Sequence, residues 1–316
     1  MRKYGLGIAF FMILTCFSFS GEKIWKILEI ELYSGLSTLN PTDLNLWSDM
    51  NEKTDKFYND DYFDYQASQN GGFSCTKIKS GDIPWIKNAF LIGFRLKFEI
   101  NNHIGISLGF KRLSREHERE VSSAWTFPYD YGEYQYRIVY SPYTLSIQGS
   151  IPSVGIYFRT PLKDQVTAGV FFEAGSLFGE CLFGYDYHEE WLSDEGNLID
   201  KSSNQYLEEI GEGTGFALEG GLRISINIGK LAPFLEGSYA HQKIDSLSGR
   251  GTERIAFLER TWEGEWEIKQ NTTSSDWGKL TYEYPSNSWE GSATKHRDFN
   301  LDLSCFQFRL GIAYRF

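Results

Sequence analysis

The chain is predicted to be all-β, with long antiparallel strands closed into a membrane-spanning, up-and-down barrel. Three observations predict it. Apolar and polar residues alternate over runs of 11 or more positions, tight turns trade places with long connections along the chain, and the final residues form an alternating apolar stripe that ends on Phe316.

Composition narrows the alternatives. The 316 residues carry 31 Lys+Arg against 42 Asp+Glu, a net charge of −11, which opposes a nucleic-acid partner. A mean hydropathy of −0.37 is too polar for a bundle of apolar helices. Aromatics make up 16 % of the chain, too many for disorder and suited to strands. The four cysteines show no zinc-ligand spacing.

Residues 1–20 read as an export signal. Arg2 and Lys3 precede an apolar run from Leu6 to Phe19, and Ser18 and Ser20 are small residues placed for cleavage before Gly21. At 1.5 Å per residue the run spans about 21 Å, short of the ~30 Å hydrocarbon core, so a retained anchor fits poorly. Cys16 raises a lipoprotein alternative, but Thr15 is not the usual small residue before such a cysteine. Residues 21–316 are expected to form one barrel domain.

Strands are expected at about 26–37, 89–100, 103–114, 134–160, 166–180, 214–228, 231–244 and 301–316. In Phe90–Ile100 every even position is large and apolar, while odd positions include Arg95, Lys97 and Glu99. Asn101-Asn102, 161–165 and Gly229-Lys230 supply tight turns. The fourth segment slips parity at Pro142 and Pro152, which predicts a bulge at each. The long connections are 39–87, 112–133, 184–212 and 245–300. A soluble sandwich also has apolar strand faces, but its strands are commonly five or six residues long. These are about twice that, near the 9–11 residues that cross a bilayer at a tilt. Ten strands remain an alternative if Arg254–Lys269 forms a further hairpin at membrane depth.

The stripe Phe308, Leu310, Ile312, Tyr314 and Phe316 resembles the terminal strand by which assembly machinery recognises bacterial outer-membrane barrels. The chain as a whole resembles the small eight-stranded OmpA/OmpX/OmpW-like class. The resemblance covers the barrel segments and not the loops. It implies a bacterial outer-membrane location, contact with outer-membrane lipid, short periplasmic turns, long extracellular loops, and engagement of the assembly machinery through those five residues.

With apolar faces outward, the lumen receives Glu29, Glu31, Arg95, Lys97, Glu99, Lys111, Arg159, Glu173, Glu219, Arg223, Glu236, Arg309 and Arg315. Eight strands enclose only enough room for their own side chains. Seven cations and six carboxylates in that space predict a paired network, because unpaired buried charge is costly. The competing reading is a narrow or gated pore for a small solute.

The connections point to surface binding without chemistry. Segment 184–212 holds nine acidic residues against Lys201 alone, and is expected to be a solvated loop, with divalent-cation binding or contact with a basic partner as the alternative. Asp60, Asp61, Asp64, Glu189, Glu190 and Asp194 are weak candidates for a divalent cation, without EF-hand spacing. No other cofactor is implied. Leu44, Trp47, Met50 and Phe57 recur at near-helical spacing, predicting a helix over 42–58 capped by Thr42 or Asp43, which either lids the mouth or packs in the loop with no gating role. Trp47, Trp125, Trp191, Trp262, Trp266, Trp277 and Trp289 fall in the connections and suit either a ligand surface or the cores of β-extensions. His117, His188, His241 and His296, with Ser193 or Ser203, are the candidates for catalysis, but neither G-x-S-x-G nor HExxH occurs. Cys181 and Cys305 fall on the fifth and eighth strands, which disfavours a direct bridge across the barrel, while the loop cysteine Cys75 is the alternative partner for one of them.

Overall fold

The computed structural model describes residues 28–69, 76–81, 83, 85–129, 132–193, 195–202, 205–255, 258–275, 278–286 and 294–316. The expected signal peptide, Cys75, Asp194 and Ser203 lie outside the described residues.

A ring of strands is built from β1 (Leu28–Thr38), β2 (Asn88–Glu99), β3 (Ile104–Tyr129), β4 (Gly132–Lys163), β5 (Val166–Leu192), β6 (Gln205–Ile226), β7 (Leu231–Ile244) and β8 (Cys305–Arg315). Each pairs antiparallel with the next. The β8–β1 ladder, with Glu29 opposite Arg315, closes the ring. The turns at one end are tight. The Asn101 side-chain oxygen accepts from the N–H groups of His103 (2.8 Å) and Ile104 (2.9 Å), and Gly229 turns with φ 62°. Between β4 and β5 only residues 164–165 intervene.

Alternation sends one residue of each pair outward. Leu32, Leu36, Phe94, Ile156, Phe172, Leu222, Leu310 and Ile312 all face out, with Leu222 66 % and Leu310 65 % exposed. A belt of large apolar side chains around a closed ring is stable against lipid and not against water.

The wall continues far beyond that belt. β3, β4, β5 and β6 contain 26, 32, 27 and 22 residues. Segments 112–133 and 184–212, expected to be loops, are therefore mostly strand: β3 runs to Tyr129 and β4 starts at Gly132, while between β5 and β6 a short strand, Leu198–Lys201, pairs back on the end of β5. Their polar composition is that of a sheet wet on one face, which resembles a loop when only hydropathy is considered. The expected bulge near Pro142 is present as a register shift between Tyr140 and Tyr143. At Pro152 there is none. It sits opposite Phe110, and the β5 ladder resumes in the same register at Ser153–Gly175. Gly175 makes room there, since a Cβ would strike the Pro152 carbonyl.

Near Gly213–Gly215 the wall forks. Below, β6 pairs with β7; above, its Gln205–Glu212 half pairs with a hairpin of Ser248–Ile255 and Leu258–Glu265. This is the further hairpin expected at 254–269, displaced along the chain and outside the ring. A separate sheet of Glu267–Ser275, Gly278–Ser286 and Thr294–Asp298 follows. Helix α1 (Thr42–Asp55) runs through a π-helical turn (Lys56–Asp61) into α2 (Tyr62–Gln69). Pro41 takes the N-cap place of α1 with no side-chain cap, so neither Thr42 nor Asp43 caps it. The Asp43 carboxylate is held by Arg297 and by the Asn300 N–H.

Candidate functional site: a paired lumen under an apolar stopper

The inward positions divide into two layers. Toward the tight turns they are charged. Register places Glu31 opposite Arg95, Glu29 opposite both Lys97 and Arg315, and Glu236 opposite both Arg223 and Arg309. Arg95 reaches Glu173 (2.5 Å), Glu31 (2.8 Å) and Glu236 (3.0 Å). Lys97 lies 2.7 Å from Glu31 and 4.0 Å from Glu29. Arg223 contacts Glu31, Glu236 (3.3 Å) and Glu29 (3.6 Å). Lys111 and Arg309 both pair with Glu219, Arg315 with Glu29 (2.6 Å) and Arg159 with Glu99 (2.6 Å). Each of the thirteen inward charged residues thus has at least one opposite partner.

One cross-strand pair breaks the pattern. Glu173 lies directly opposite Glu219, a destabilising arrangement in isolation. Arg95 neutralises the first, while Lys111 and Arg309 neutralise the second. The Arg95 and Arg309 guanidiniums both lie 5.1–5.2 Å from the rings of Tyr33 and Phe171, and Arg223 lies 3.7 Å from Phe234. These contacts set the cations against aromatic faces inside the ring. A cavity of about 20 Å³ at the tight-turn end, bordered by Glu29, Lys97, Tyr157, Arg223 and Arg315, has room for about one water.

Away from the turns the interior becomes apolar. Leu113, Ile147, Ile151, Leu177, Ala217 and Ala240 on the wall join Leu44 and Trp47 of α1 and Trp266, Ile268, Phe299 and Leu301 of the last connection in one buried cluster. Trp47 stacks on Phe183 at 3.8 Å and 9°. Polar contacts fasten the stopper: Asn51 Nδ2 donates to the Tyr143 hydroxyl (3.3 Å), the Ser286 hydroxyl donates to Glu209 (2.9 Å), and Arg297 grips Asp43. Sequence reasoning read Asp43 as a helix cap and missed Arg297 and Glu209, because nothing local marks a charge whose partner lies far along the chain.

The remaining candidates disperse. Asp60 and Asp61 lie on the π-helical turn and Asp64 on α2. Glu190 is on the outer wall with Arg137, His188 and Lys201, while Glu189 accepts from Tyr187. Burial alone would raise the Glu190 carboxyl, but hydrogen bonds from Arg137 and His188 hold it below the usual carboxylate value. Among the described residues no three His, Cys, Asp or Glu side chains converge as a metal site. His117 sits beside Arg115, His296 beside Glu283 and His241 beside Ser304, whose own neighbour Asp302 accepts from the Ser304 N–H. Ser193 accepts from the Asn197 N–H. Cys181 and Cys305 are free and buried.

A closed ring with a lipid-facing belt and a charged interior defines a transmembrane β-barrel, and this chain has the fold of the outer-membrane type. No family model matches the chain, and no curated protein does. Among solved structures it is similar to Ail, the attachment invasion locus protein of Yersinia pestis, in complex with the heparin analogue sucrose octasulfate. There the identity is 12 %, over 92 % of this chain and 99 % of that one, with a TM-score of 0.35. It is also similar to a major outer membrane protein from Thermus thermophilus, at 11 % identity over 92 % and 99 %, with a TM-score of 0.34. The chain's own strand pairing and apolar belt define the class without help from these distant likenesses.

Proposed function

We propose that this is a non-catalytic barrel with a sealed lumen, whose working surface is the wall and stopper standing outside the cell. Two observations support the reading: thirteen paired charges below, and above them a buried apolar cluster in which Trp47 stacks on Phe183. Opening a path requires separating ion pairs in a low-dielectric space, at several kcal/mol each. On this reading the tight turns face the periplasm and the four long strands rise outward. The terminal stripe Phe308, Leu310, Ile312, Tyr314 and Phe316 is the handle for the assembly machinery. All five side chains lie on the lipid face of β8 and its end.

Planar-bilayer recording tests the seal. The purified protein should show no steady conductance, and Glu173→Lys or Glu219→Lys should reduce the folded fraction before any change in selectivity. A stable ohmic channel in the unmodified protein, with selectivity that follows those two substitutions, would replace this reading with transport of a small solute.

A further inference from the structure

The outer wall is an open sheet, and one of its edges is bare. Leu258–Glu265 is the last strand in the sheet order, and among the described residues no strand pairs with its far side. The Trp266 N–H donates to the Leu247 carbonyl at 2.8 Å, one step below this hairpin. Antiparallel pairs alternate between hydrogen-bonded and non-bonded. Counting up from that bond turns the main chains of Gly264, Trp262, Arg260 and Leu258 toward Ser248–Ile255. The N–H and C=O groups of Glu265, Glu263, Thr261 and Glu259 then point away from the hairpin.

All four of those residues are exposed, and three are glutamates. Glu259 has an exposed partner in Arg254 at 2.8 Å. Full antiparallel pairing with a second copy would set Glu259 against Glu265 and Thr261 against Glu263. Like charges opposite one another disfavour that pairing, so the edge is protected from its own kind. At its foot a cleft of about 920 Å³ adds Glu212 to Glu263 and Glu265, with Arg250 alongside. On the other face of the strand Leu258 is exposed and Trp262 half-buried.

We propose that this edge receives an extended basic segment of a partner protein as one further strand. The segment would carry Lys or Arg opposite Glu259, Glu263 and Glu265, and apolar residues beside Leu258 and Trp262. Main-chain bonds give such an added strand its affinity, and the alternate side chains give its selectivity. The inference rests on the surface-binding reading above and names its partner chemistry.

The test uses the full chain in lipid nanodiscs and a labelled peptide alternating lysine with valine, followed by fluorescence anisotropy. A glutamate–valine peptide should bind at least about tenfold more weakly, since each cross-strand pair changes from attraction to repulsion. Glu259→Lys with Glu263→Lys should invert that preference. Thr261→Pro removes an outward N–H without touching the bonds inside the hairpin, and should also cost at least about tenfold. In the parent protein, peptide should slow hydrogen exchange across 258–265. Equal binding of the two peptides, or binding with no slowing of exchange, would overturn strand addition; the latter would mark mere adsorption to an acidic surface. Either failure leaves the sealed lumen standing, whereas a conducting barrel would sink the seal without touching the peptide result.

Discussion

Glu31→Gln is the sharpest probe of the lumen. Glu31 is fully buried and pairs with Arg95, Lys97 and Arg223. Its loss does not fall equally on them. Arg95 keeps Glu173 at 2.5 Å and Glu236 at 3.0 Å, and Arg223 keeps Glu236 at 3.3 Å and Glu29 at 3.6 Å. Lys97 keeps Glu29 as its one carboxylate, at 4.0 Å, beside the Tyr157 ring at 4.6 Å. Breaking a buried pair by removing one partner costs about 3–5 kcal/mol, mainly through the charge left behind. With two of the three cations still held, the cost should sit near the lower end, at about 3 kcal/mol. Adding Lys97→Met removes the stranded ammonium and should recover most of that loss. Urea unfolding in lipid vesicles, with heat-modifiable gel migration as the second readout, measures both variants. Stability of Glu31→Gln within about 1 kcal/mol of the parent would refute the argument, because an unpaired buried charge cannot be that inexpensive. So would a double variant no better than the single.

Three further outcomes follow from other parts of the molecule. Trp47→Ala removes the ring stacked on Phe183 and should loosen the stopper by about 3–5 kcal/mol, read as protease cleavage within 42–69 while the barrel keeps its folded gel position. Deleting Phe316, whose ring meets Tyr314 at 5.0 Å on the lipid face, should lower insertion into outer membranes, and an unchanged folded fraction in cells would count against the handle. The carboxyl of Glu190 is held below its ordinary value, so its stabilisation is complete above that value and is lost as pH falls through the lowered one. Hydrogen exchange across 186–201 should therefore quicken in acid, and Arg137→Gln should remove that step.

The period-two pattern, the strand lengths and the apolar stripe ending on Phe316 together determined the barrel class. Residues such as Arg95, Lys97 and Glu99 between Phe94, Leu96 and Phe98 assign every side chain to lipid or lumen, because a strand offers only two faces. That pattern also names thirteen charged positions as inward, since parity is a local property, but it passed over Glu209, buried on the same face of β6 as Glu219. It could not show who pairs with whom. Glu173 opposite Glu219 becomes tolerable only because Arg95, Lys111 and Arg309 arrive from three other strands. Tertiary structure alone also decided the outer half. Above the belt a strand has water or protein beside it instead of lipid, so the hydropathy contrast fades and segment 184–212 resembles a loop although β5 and β6 pass through it. The stopper was legible only as the periodicity of Leu44, Trp47 and Phe57. Its seat against Phe183 and the Asp43–Arg297 clasp join residues far apart in sequence, and closing such long loops depends on the finished wall and not on any local preference.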